Sequence, residues 1–402
     1  MATITNIVEQ LAAITGPEHV RPGNPTEVWP VNTQQVSEIL RFANENGLTV
    51  NPAGGKTKQS WGSQTQTSIR LNLTRLNRVI EHPWQDLTCT VQAGCTWREL
   101  QQTVAKQGQF VALDPLWPER ATVGGILATN DSGALRHRYG SLRDLIIGMT
   151  LVLADGTIAR SGGKVVKNVA GYDLCKLITG SLGTLAVITE ATFRLHPLPQ
   201  HLQTFTVHAP LAAQLGPLMA NIRSSHLLTQ ALQLRGNSYG FHLDIQLSAH
   251  PEAHQNEILQ QMTESAGLKL EPASDEVWQA REKHCADDES FKVKMTMLPT
   301  DILEFSERVV KSKGQCTTQA IGIMLASFPA PTHTTAFGIA DLQEKIEKKG
   351  GSLAILQYGS LTWSDLKNLE PAKAVSDLMQ SIKHQFDPQN TLNPGARNPT
   401  LT

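Results

Sequence analysis

Glycine is concentrated in three short segments of the first half of the chain, and this distribution constrains the fold more than any other feature. The segments cover residues 52–57, 123–130 and 180–184. Each absent side chain lets the backbone approach a ligand or another segment closely, at a cost of roughly 0.5–1 kcal/mol per residue in regular structure. Such loops are either tight corners of a β/α domain or the walls of a narrow cleft. We favour a cleft for a dinucleotide, because three such loops occur in one domain.

The first of these segments contains Gly55-Lys56-Thr57, which matches the end of an ATP-binding P-loop. That motif requires a glycine where this chain has Val50, and it requires a helix directly after the threonine. The residues after Thr57 are polar and lack helical apolar spacing, so they predict a loop. An ATPase is therefore excluded, and the absence of G-x-G-x-x-G argues against an NAD-binding Rossmann domain. What remains is a turn whose backbone N–H groups could converge on an anion. The N–H groups of the second segment, 123–130, are likewise expected to be free for a phosphate or the edge of a flat ring.

The first half of the chain alternates predicted strands and helices. Apolar residues at helical spacing predict a helix over 33–46, with Thr33 as its N-cap, and another over 96–107. Two prolines interrupt the chain near residue 200 and predict a domain boundary there. The predicted strands cover 27–31, 48–51, 69–73, 79–81, 88–92, 145–154 and 185–195.

The second half of the chain consists of two similar cycles of strand, helix, strand, strand, helix and strand. This is the order of ferredoxin-like domains, and it predicts an antiparallel sheet. The first cycle covers 203–271 and the second covers 292–357. A last helix over 371–386 leads into the turn-rich sequence FDPQNTLNPGA, which predicts a docked tail. The fold class is therefore α+β, with domains over 1–199 and 200–370 and a C-terminal helix and tail over 371–402.

Composition narrows the classes of function. The chain has 402 residues and a formal net charge of −1, which gives no reason to expect nucleic acid or an anionic membrane as a partner. The five cysteines have no C-x-x-C spacing and no histidine pattern resembles a metal site, so we predict neither a metal nor an iron–sulfur cluster. The sequence starts without the features of a signal peptide, and its longest apolar run, 145–154, is shorter than the ~20 residues of a membrane span. We therefore expect a reduced, cytoplasmic compartment.

Three polar clusters leave alternatives open. Arg136-His137-Arg138 either supplies positive charge to a pyrophosphate, a flavin or a carboxylate, or forms a solvated corner. Tyr172 and Asp173, which follow Lys164 and Lys167, either provide a proton donor or flavin neighbour or start a helix over 172–178, the interpretation that we favour. The dense polar run 284–289 is interpreted as a solvated loop.

Four motifs follow one another along the chain: PAGGKT (52–57), TVGGILATN (122–130) with YG (139–140), KNVAGYDL (167–174) and GSLGT (180–184). Their order resembles the FAD-binding domain of the p-cresol methylhydroxylase (PCMH)/vanillyl-alcohol oxidase superfamily. The resemblance spans nearly the whole chain, since Phe386-Asp387-Pro388 and Asn393-Pro394-Gly395 are similar to the closing turn that returns to the flavin domain in that superfamily. Within it, the chain resembles the FAD-binding subunits of glycolate oxidases.

The resemblance implies a fold and a cofactor. The fold is a two-part PCMH-type FAD-binding domain followed by a ferredoxin-like α+β domain with an antiparallel sheet. The first glycine loop would hold the FAD pyrophosphate, and the others would lie along the cofactor. No histidine lies between residues 51 and 62 to tether the flavin, so we expect non-covalent FAD. The residues expected to contact FAD are Pro52, Ala53, Gly54, Gly55, Lys56, Thr57, Val123, Gly124, Gly125, Ala128, Thr129, Ser132, Gly133, Gly183 and Ile188.

The resemblance also implies an activity and partners. Hydride would pass from the α-carbon of a small 2-hydroxy acid to the flavin, and electrons would leave through an iron–sulfur subunit. The related catalytic subunit and the similar D-lactate dehydrogenases carry H-x-G-D-G-N and E-H-G motifs, which this chain lacks. A related flavoprotein catalytic subunit is therefore an expected partner, and membrane association through partners stays open. Two alternatives remain: a self-sufficient FAD-dependent dehydrogenase of another small acid or alcohol, and a non-catalytic structural subunit.

Overall fold

A computed structural model of the chain describes residues 4–61, 66–163, 172–248, 254–287, 289–329, 333–359 and 373–394. Its contacts divide the chain into two compact units. The first unit contains Met1–Asp131, Ser141–Leu198 and Pro371–Thr402, and the second contains Ser132–Gly140 and Pro199–Glu370. The short segment Ser132–Gly140 therefore groups with the second unit, although both of its neighbours along the chain belong to the first.

The helices and strands predicted from periodicity are present, with ends shifted by a few residues. The helices are α1 Ile4–Thr15, α2 Thr33–Glu45, α3 Trp97–Ala105, α4 Val123–Thr129, α5 Arg136–Tyr139, α6 Leu142–Leu145, α7 Leu174–Ile178, α8 Ala212–Ser224, α9 Gln255–Ser265, α10 Ala280–Cys285, α11 Ile302–Lys311, α12 His333–Lys348 and α13 Lys373–Phe386. The strands are β1 Val20–Arg21, β2 Thr26–Val28, β3 Val50–Ala53, β4 Ile69–Asn72, β5 Val79–Glu81, β6 Thr88–Gln92, β7 Gln109–Phe110, β8 Ile146–Val152, β9 Ile158–Gly162, β10 Val187–Arg194, β11 His196–Pro197, β12 Leu202–Ala209, β13 Thr229–Asn237, β14 Gly240–Ser248, β15 Leu270–Pro272, β16 Phe291–Thr296, β17 Gln315–Gln319, β18 Ile323–Phe328 and β19 Ser352–Gln357.

The first unit contains a mixed sheet in the order β1-β2-β4-β3, in which β2 and β3 run parallel to β4. Helix α2 packs on this sheet because its apolar side chains recur at helical spacing and share one core with the strands. The Asn32 side chain accepts a hydrogen bond from the Gln35 N–H at 2.8 Å. Asn32 is therefore the N-cap, and the expected cap, Thr33, is instead the first helical residue.

A second sheet of the same unit has the order β5-β6-β10-β8-β9 and is antiparallel throughout. Helix α3 starts with a capping box formed by Thr96 and Glu99. Its first residue, Trp97, is buried against Phe193 of β10, with ring centroids 5.9 Å apart in an edge-to-face arrangement. The strands predicted at 88–92, 145–154 and 185–195 therefore share one hydrophobic core with α3.

Two segments differ from the sequence predictions. Residues 123–130, expected to be a loop, contain α4, which Thr122 caps and which buries Ile126 and Leu127. Two glycines lower the helix propensity of this segment, but tertiary packing outweighs that preference. The polar run 284–289, expected to be a loop, begins inside α10 with a partly buried His284 and a buried Cys285, whereas Asp288 lies outside the described residues.

The second unit contains one eight-stranded antiparallel sheet in the order β15-β12-β14-β13-β17-β18-β16-β19. Each predicted cycle supplies four of these strands, and within each cycle they lie in the spatial order fourth, first, third, second. The second strands of the two cycles, β13 and β17, pair with each other and join the two halves. The ferredoxin-like repeat predicted from the sequence is therefore confirmed, and the strand order is the same from either edge of the sheet.

The two faces of this sheet differ in polarity. Helices α8, α9, α11 and α12 cover one face and share a buried apolar layer with it. Alternate residues of the strands point to the opposite face. Polar side chains on that face are buried and need hydrogen-bond partners; they include Gln233, Asp244, Lys292, Thr317 and Gln319.

Asp244 is the main acceptor of this polar face. Its carboxylate accepts two hydrogen bonds from Arg235, at 2.6 and 2.8 Å, and one from Gln233 at 2.9 Å. His284 shares a hydrogen bond of 2.9 Å with the Thr317 hydroxyl. Burial, together with the positive charge of Arg235, lowers the pKa of His284 to about 4, so the imidazole is neutral at pH 7 in the folded protein.

All five cysteines are buried and carry free thiols. Burial raises the pKa of Cys316 to about 11, so this thiol stays protonated.

Within the part of the chain that the structure describes, no helix has both the length and the hydropathy needed to cross a bilayer.

We predict that His284→Gln makes the stability of the protein less dependent on pH. Because the folded-state pKa of His284 is depressed from 6.5 to about 4, the unfolded chain binds a proton more readily, and the wild type loses stability as the pH falls through this interval. Because each pKa unit corresponds to about 1.4 kcal/mol, the expected loss in the free energy of unfolding approaches roughly 3 kcal/mol. Urea unfolding at about pH 7 and about pH 4.5 measures it.

The control for this prediction is His254→Gln, since the side chain of His254 is 68% exposed. We expect the control to lose unfolding free energy on acidification as the wild type does. Equal losses in the wild type, the control and His284→Gln would contradict the assignment of this pH dependence to His284.

Candidate functional site

A cavity of about 470 Å³ lies in the first unit, lined by the loop after β3, α4 and the tail. Its size is that of small-molecule and cofactor sites. Leu182, from the third glycine motif, also lines it. Three motifs that are distant in sequence therefore meet at one place. The expected cofactor contacts that line the cavity are Pro52, Gly54, Gly55, Lys56, Thr57, Gly125, Ala128 and Thr129.

The other expected contacts do not line this cavity. Gly183 has a positive φ of 69° and is adjacent in sequence to the cavity-lining Leu182. Ser132 and Gly133 belong to the second unit, so their contact with a cofactor stays a prediction. Gly124 packs against the residue that follows β6. The remaining three are buried in the interior of the first unit: Ala53, Val123 and Ile188.

Three of the expected glycines are required by packing between segments of the chain. A side chain on Gly54 would overlap the Thr122 hydroxyl, and a side chain on Gly55 would overlap the Arg120 carbonyl oxygen. A Cβ atom on Gly124 would lie 2.9 Å from the Cβ atom of Ala93, the residue that follows β6. These glycines therefore let the loop after β3 and helix α4 approach other backbone segments closely.

Gly125 differs from these glycines because an added side chain would have only one close neighbour. A Cβ atom there would lie 3.3 Å from the Thr122 hydroxyl and, outside its chain neighbours and the backbone of its own helix, within 4 Å of no other atom among the described residues. The N–H groups expected to be free in this motif are not all free, since those of Val123 and Gly124 donate to backbone carbonyls at 2.9 and 2.7 Å. At these two positions the motif contributes close packing, and the expectation of free donors is wrong.

A buried ion pair connects two sides of the cavity wall. Lys58 Nζ lies 3.1 Å from Asp131 Oδ2, and the two side chains are 5% and 1% exposed. The ammonium group also lies over the rings of Trp61 and Trp117, at 5.8 and 5.5 Å from their centroids. A buried charge is tolerated when it is paired, so this pair ties the loop after β3 to the residues that follow α4.

A second charged cluster surrounds Glu27 of β2. Its carboxylate accepts hydrogen bonds from Arg70 Nη1 at 2.8 Å and from Lys56 Nζ at 2.9 Å. The hydrogen bonds and charges of these two side chains, Arg70 foremost, hold the pKa of the Glu27 carboxyl below its usual value. Lys56 and Arg70 both line the cavity, so positive groups face it.

The tail completes the cavity by pairing with β3. The Val50 N–H donates to the Thr391 carbonyl at 2.7 Å, and the Asn393 N–H donates to the Val50 carbonyl at 2.9 Å. The Asn393 side chain accepts from Asn51 Nδ2 at 2.7 Å and donates to the Leu182 carbonyl at 2.8 Å. One cavity-lining side chain therefore links Asn51, directly before the first glycine motif, to the third motif.

The tail is itself held by an ion pair at the end of α13. Lys383 Nζ contacts the Asp387 carboxylate and donates to the Thr184 and Leu392 carbonyls at 2.8 and 2.7 Å. Asp387 also accepts from the N–H groups of residues 391 and 392, at 2.8 and 2.7 Å. Burial lowers the pKa of Lys383, and the nearby carboxylate opposes that shift. The pair therefore fixes the turn that presents Asn393.

The remaining polar clusters of the sequence lie outside this cavity. Helix α5, which contains the Arg-His-Arg sequence, belongs to the second unit, and burial lowers the pKa of His137 there. The alternatives for that cluster stay open. The Asp173 side chain accepts a backbone N–H at 3.1 Å and caps α7, as the favoured interpretation predicted. Tyr172 is exposed, and Lys164 and Lys167 lie outside the described residues.

Sequence reasoning missed part of the cavity wall. Residues 58–61 directly follow the glycine loop, so their position in the sequence could have indicated that they lie at the same cavity. Arg70 and Asn393 carried no local signal, since strand pairing and the docked tail bring them to the site. The lining residues that were not predicted are Asn24, Pro25, Asn51, Lys58, Gln59, Trp61, Gln66, Thr67, Arg70, Thr122, Leu182 and Asn393.

The residues present fit a dinucleotide that carries phosphate. The cavity has the volume of a cofactor site, and the missing side chain of Gly125 leaves space in its wall. Arg70 Nε is buried and has no hydrogen-bond partner among the described residues. Such a donor at a cavity wall is suited to an anionic oxygen. The geometry is therefore consistent with the expected FAD.

Comparisons with known proteins agree with this fit. Residues 26–162 match the family described as FAD binding domain. Over 97% of its length the chain aligns with 96% of the glycolate oxidase subunit GlcD of Bacillus subtilis (strain 168), at 27% identity. It is 38% identical to D-lactate dehydrogenase of Archaeoglobus fulgidus, over 46% of this chain and 41% of that protein. It is 37% identical to mitochondrial D-lactate dehydrogenase [cytochrome] of Arabidopsis thaliana, over 43% of this chain and 30% of that protein.

Solved structures support the fold. The chain is similar to p-cresol methylhydroxylase with substrate bound, with a TM-score of 0.73 and 15% identity over 98% of this chain and 96% of that chain. It is also similar to alkyldihydroxyacetonephosphate synthase, with a TM-score of 0.73 and 18% identity over 98% and 85% of the two chains. At these identities the likeness concerns the fold alone, and it confirms the expected PCMH-type α+β fold.

We predict that Gly125→Trp abolishes flavin retention, because the indole would occupy the space that Gly125 leaves in the cavity wall. The flavin absorbance of the purified protein measures retention, and circular dichroism checks that the fold is kept. Gly125→Ser is the matched control, since its Cβ atom would meet a single neighbouring atom, the Thr122 hydroxyl at 3.3 Å, and only a small shift of that side chain is needed to accommodate it. A tryptophan variant with full flavin content would show that the cofactor lies elsewhere.

We predict that Asn393→Asp weakens FAD binding by about tenfold, the effect of losing one buried hydrogen bond and placing a carboxylate against the Leu182 carbonyl. Equilibrium dialysis of the apoprotein with FAD measures the Kd. Asn390→Asp is the control, since Asn390 is an exposed residue of the same tail with a similar positive φ of 56°. Equal Kd values for the two variants would contradict a specific role of Asn393.

Proposed function

We propose that this chain, an FAD-dependent oxidoreductase whose residues 26–162 match the family described as FAD binding domain, oxidises small 2-hydroxy acids of the glycolate and D-lactate class. The observation that carries the proposal is the single cavity wall assembled from all three glycine motifs. The substrate class is supported by relatives named as a glycolate oxidase subunit and as D-lactate dehydrogenases. The first of these aligns over nearly the whole of both chains.

In this proposal FAD, when bound, supplies the acceptor for the hydride of the substrate α-carbon. The residues of the chain bind and orient the cofactor. The loop after β3 and α4 shape the cavity, and Gly125 leaves room in its wall. Lys58 and Asp131 hold the two sides of the wall at a fixed distance. Asn393 joins Asn51, directly before the first motif, to Leu182 of the third motif.

We further propose that the chain acts as the FAD-binding subunit of a complex, with a related flavoprotein catalytic subunit and an iron–sulfur subunit. The similarity to a protein named as a subunit supports this proposal. The sequence lacks H-x-G-D-G-N and E-H-G, and its cysteines lack cluster spacing, so the substrate motifs and the iron–sulfur cluster would be supplied by partners. A cytoplasmic location belongs to the same proposal and is supported by the five free thiols.

The experiment that tests the function follows the flavin absorbance of the purified chain while glycolate or D-lactate is added without oxygen. The protein is first reconstituted with FAD, so that loss during purification does not affect the result. Acetate is the control, because it has the same carboxylate but no α-hydroxyl group to oxidise. We expect a flavin band that stays oxidised with the chain alone and bleaches once the partner subunits are added.

The other outcomes distinguish the alternatives. Bleaching of the chain alone by a 2-hydroxy acid, and not by acetate, would show that this chain is a self-sufficient dehydrogenase. Failure to bind FAD even after reconstitution would overturn the proposal and favour a structural subunit. A band that bleaches with neither acid in the complete complex would overturn the substrate class.

A further inference from the structure

The charges around Glu27 are unequal in number. Lys56 and Arg70 both donate to its carboxylate, at 2.9 and 2.8 Å. A third cation, Arg21, approaches the same carboxylate at 3.8 Å, but its side chain is 74% exposed. Lys56 and Arg70 line the cavity, whereas Glu27 and Arg21 are not among its lining residues. Two cavity-lining cations therefore share one carboxylate behind them, which leaves an excess positive charge at the wall.

The other cavity-lining lysine behaves differently. Lys58 has its own carboxylate, Asp131, at 3.1 Å, and both side chains are almost fully buried. The two charges of this pair cancel, and its ammonium group lies over two tryptophan rings. The excess positive charge is therefore localised at the Lys56–Arg70 side of the cavity, and a bound anion would be attracted there.

Two further observations indicate a ligand at this position. Arg70 Nε is buried without a hydrogen-bond partner among the described residues, which is costly for a guanidinium group unless a ligand accepts from it. Lys56 adopts a left-handed backbone conformation with a φ of 56°, which a side chain other than glycine adopts at a cost. Both costs are explained if the two side chains bind an anion.

We infer that Lys56 and Arg70 form a two-cation clamp for the diphosphate of FAD, and that Glu27 is a positioning residue that holds both cations at the cavity wall. The inference rests on the proposed function. Arg presents N–H groups in a planar fork suited to phosphate oxygens, and Lys adds a compact charge. Glu27 keeps the side chains at hydrogen-bond distance before the ligand arrives, which reduces the ordering cost of binding.

The test compares three variants in the full chain: Lys56→Gly, Arg70→Met and Arg21→Met. The Kd for FAD is measured by flavin fluorescence on titration of the apoprotein. We expect Lys56→Gly and Arg70→Met each to raise the Kd about tenfold, through loss of one charge-assisted hydrogen bond. We expect Arg21→Met to change it by less than about twofold, since Arg21 contacts Glu27 but does not line the cavity.

Three readouts separate the clamp from a loss of structure. Lys56→Gly relieves a positive φ, so its unfolding free energy in urea should not fall. ADP, which carries the diphosphate but no flavin, should compete with FAD in the wild type and compete more weakly in Lys56→Gly and Arg70→Met. In the wild type the Kd for FAD should rise between about 50 mM and about 500 mM KCl, and the rise should be smaller in both variants.

The failures can be told apart. Wild-type Kd values in Lys56→Gly and Arg70→Met would overturn the clamp and leave the proposed function standing. An equal loss of affinity in Arg21→Met would overturn it in favour of a general effect of charge or stability. A wild-type chain that binds neither FAD nor ADP would overturn the proposed function itself.

Discussion

The close approach of two backbone segments, at Gly54 and Gly55 against residues 120–122, is the contact on which the cavity depends. Any side chain at these glycines would overlap the Thr122 hydroxyl or the Arg120 carbonyl. Because the loop after β3 is held there, the next residues along it reach their partners: Lys58 meets Asp131, and Lys56 meets Glu27. The positions of the charges at the cavity are therefore consequences of missing side chains nearby.

In both units, buried charged side chains are paired with groups of opposite charge. In the first unit, Lys58–Asp131 connects the loop after β3 to the residues that follow α4, and Lys383–Asp387 connects α13 to the tail; each pair has backbone groups as additional partners. In the second unit, Asp244 accepts from three side chains on one face of the sheet. The Glu27 cluster differs because its cations outnumber the carboxylate, and the clamp that we propose uses this imbalance.

The sequence predicted the fold more completely than the site. Helical spacing located α2, and the order of strands and helices located the ferredoxin-like repeat, because both patterns are local. Helix α4 was missed because Gly124 and Gly125 suggested a loop, whereas packing of Ile126 and Leu127 decided the outcome. Glu27, Arg70 and Asn393 could not be assigned to the site, because pairing between distant strands brings them together.

The Asn51–Asn393 hydrogen bond spans 342 residues of sequence, and this separation has a consequence for biosynthesis. The early glycine loop emerges from the ribosome long before its partner in the tail. The wall of the cavity is incomplete until residue 393 has been made. With FAD bound there, as we propose, cofactor loading would be a late step that follows translation of the second unit.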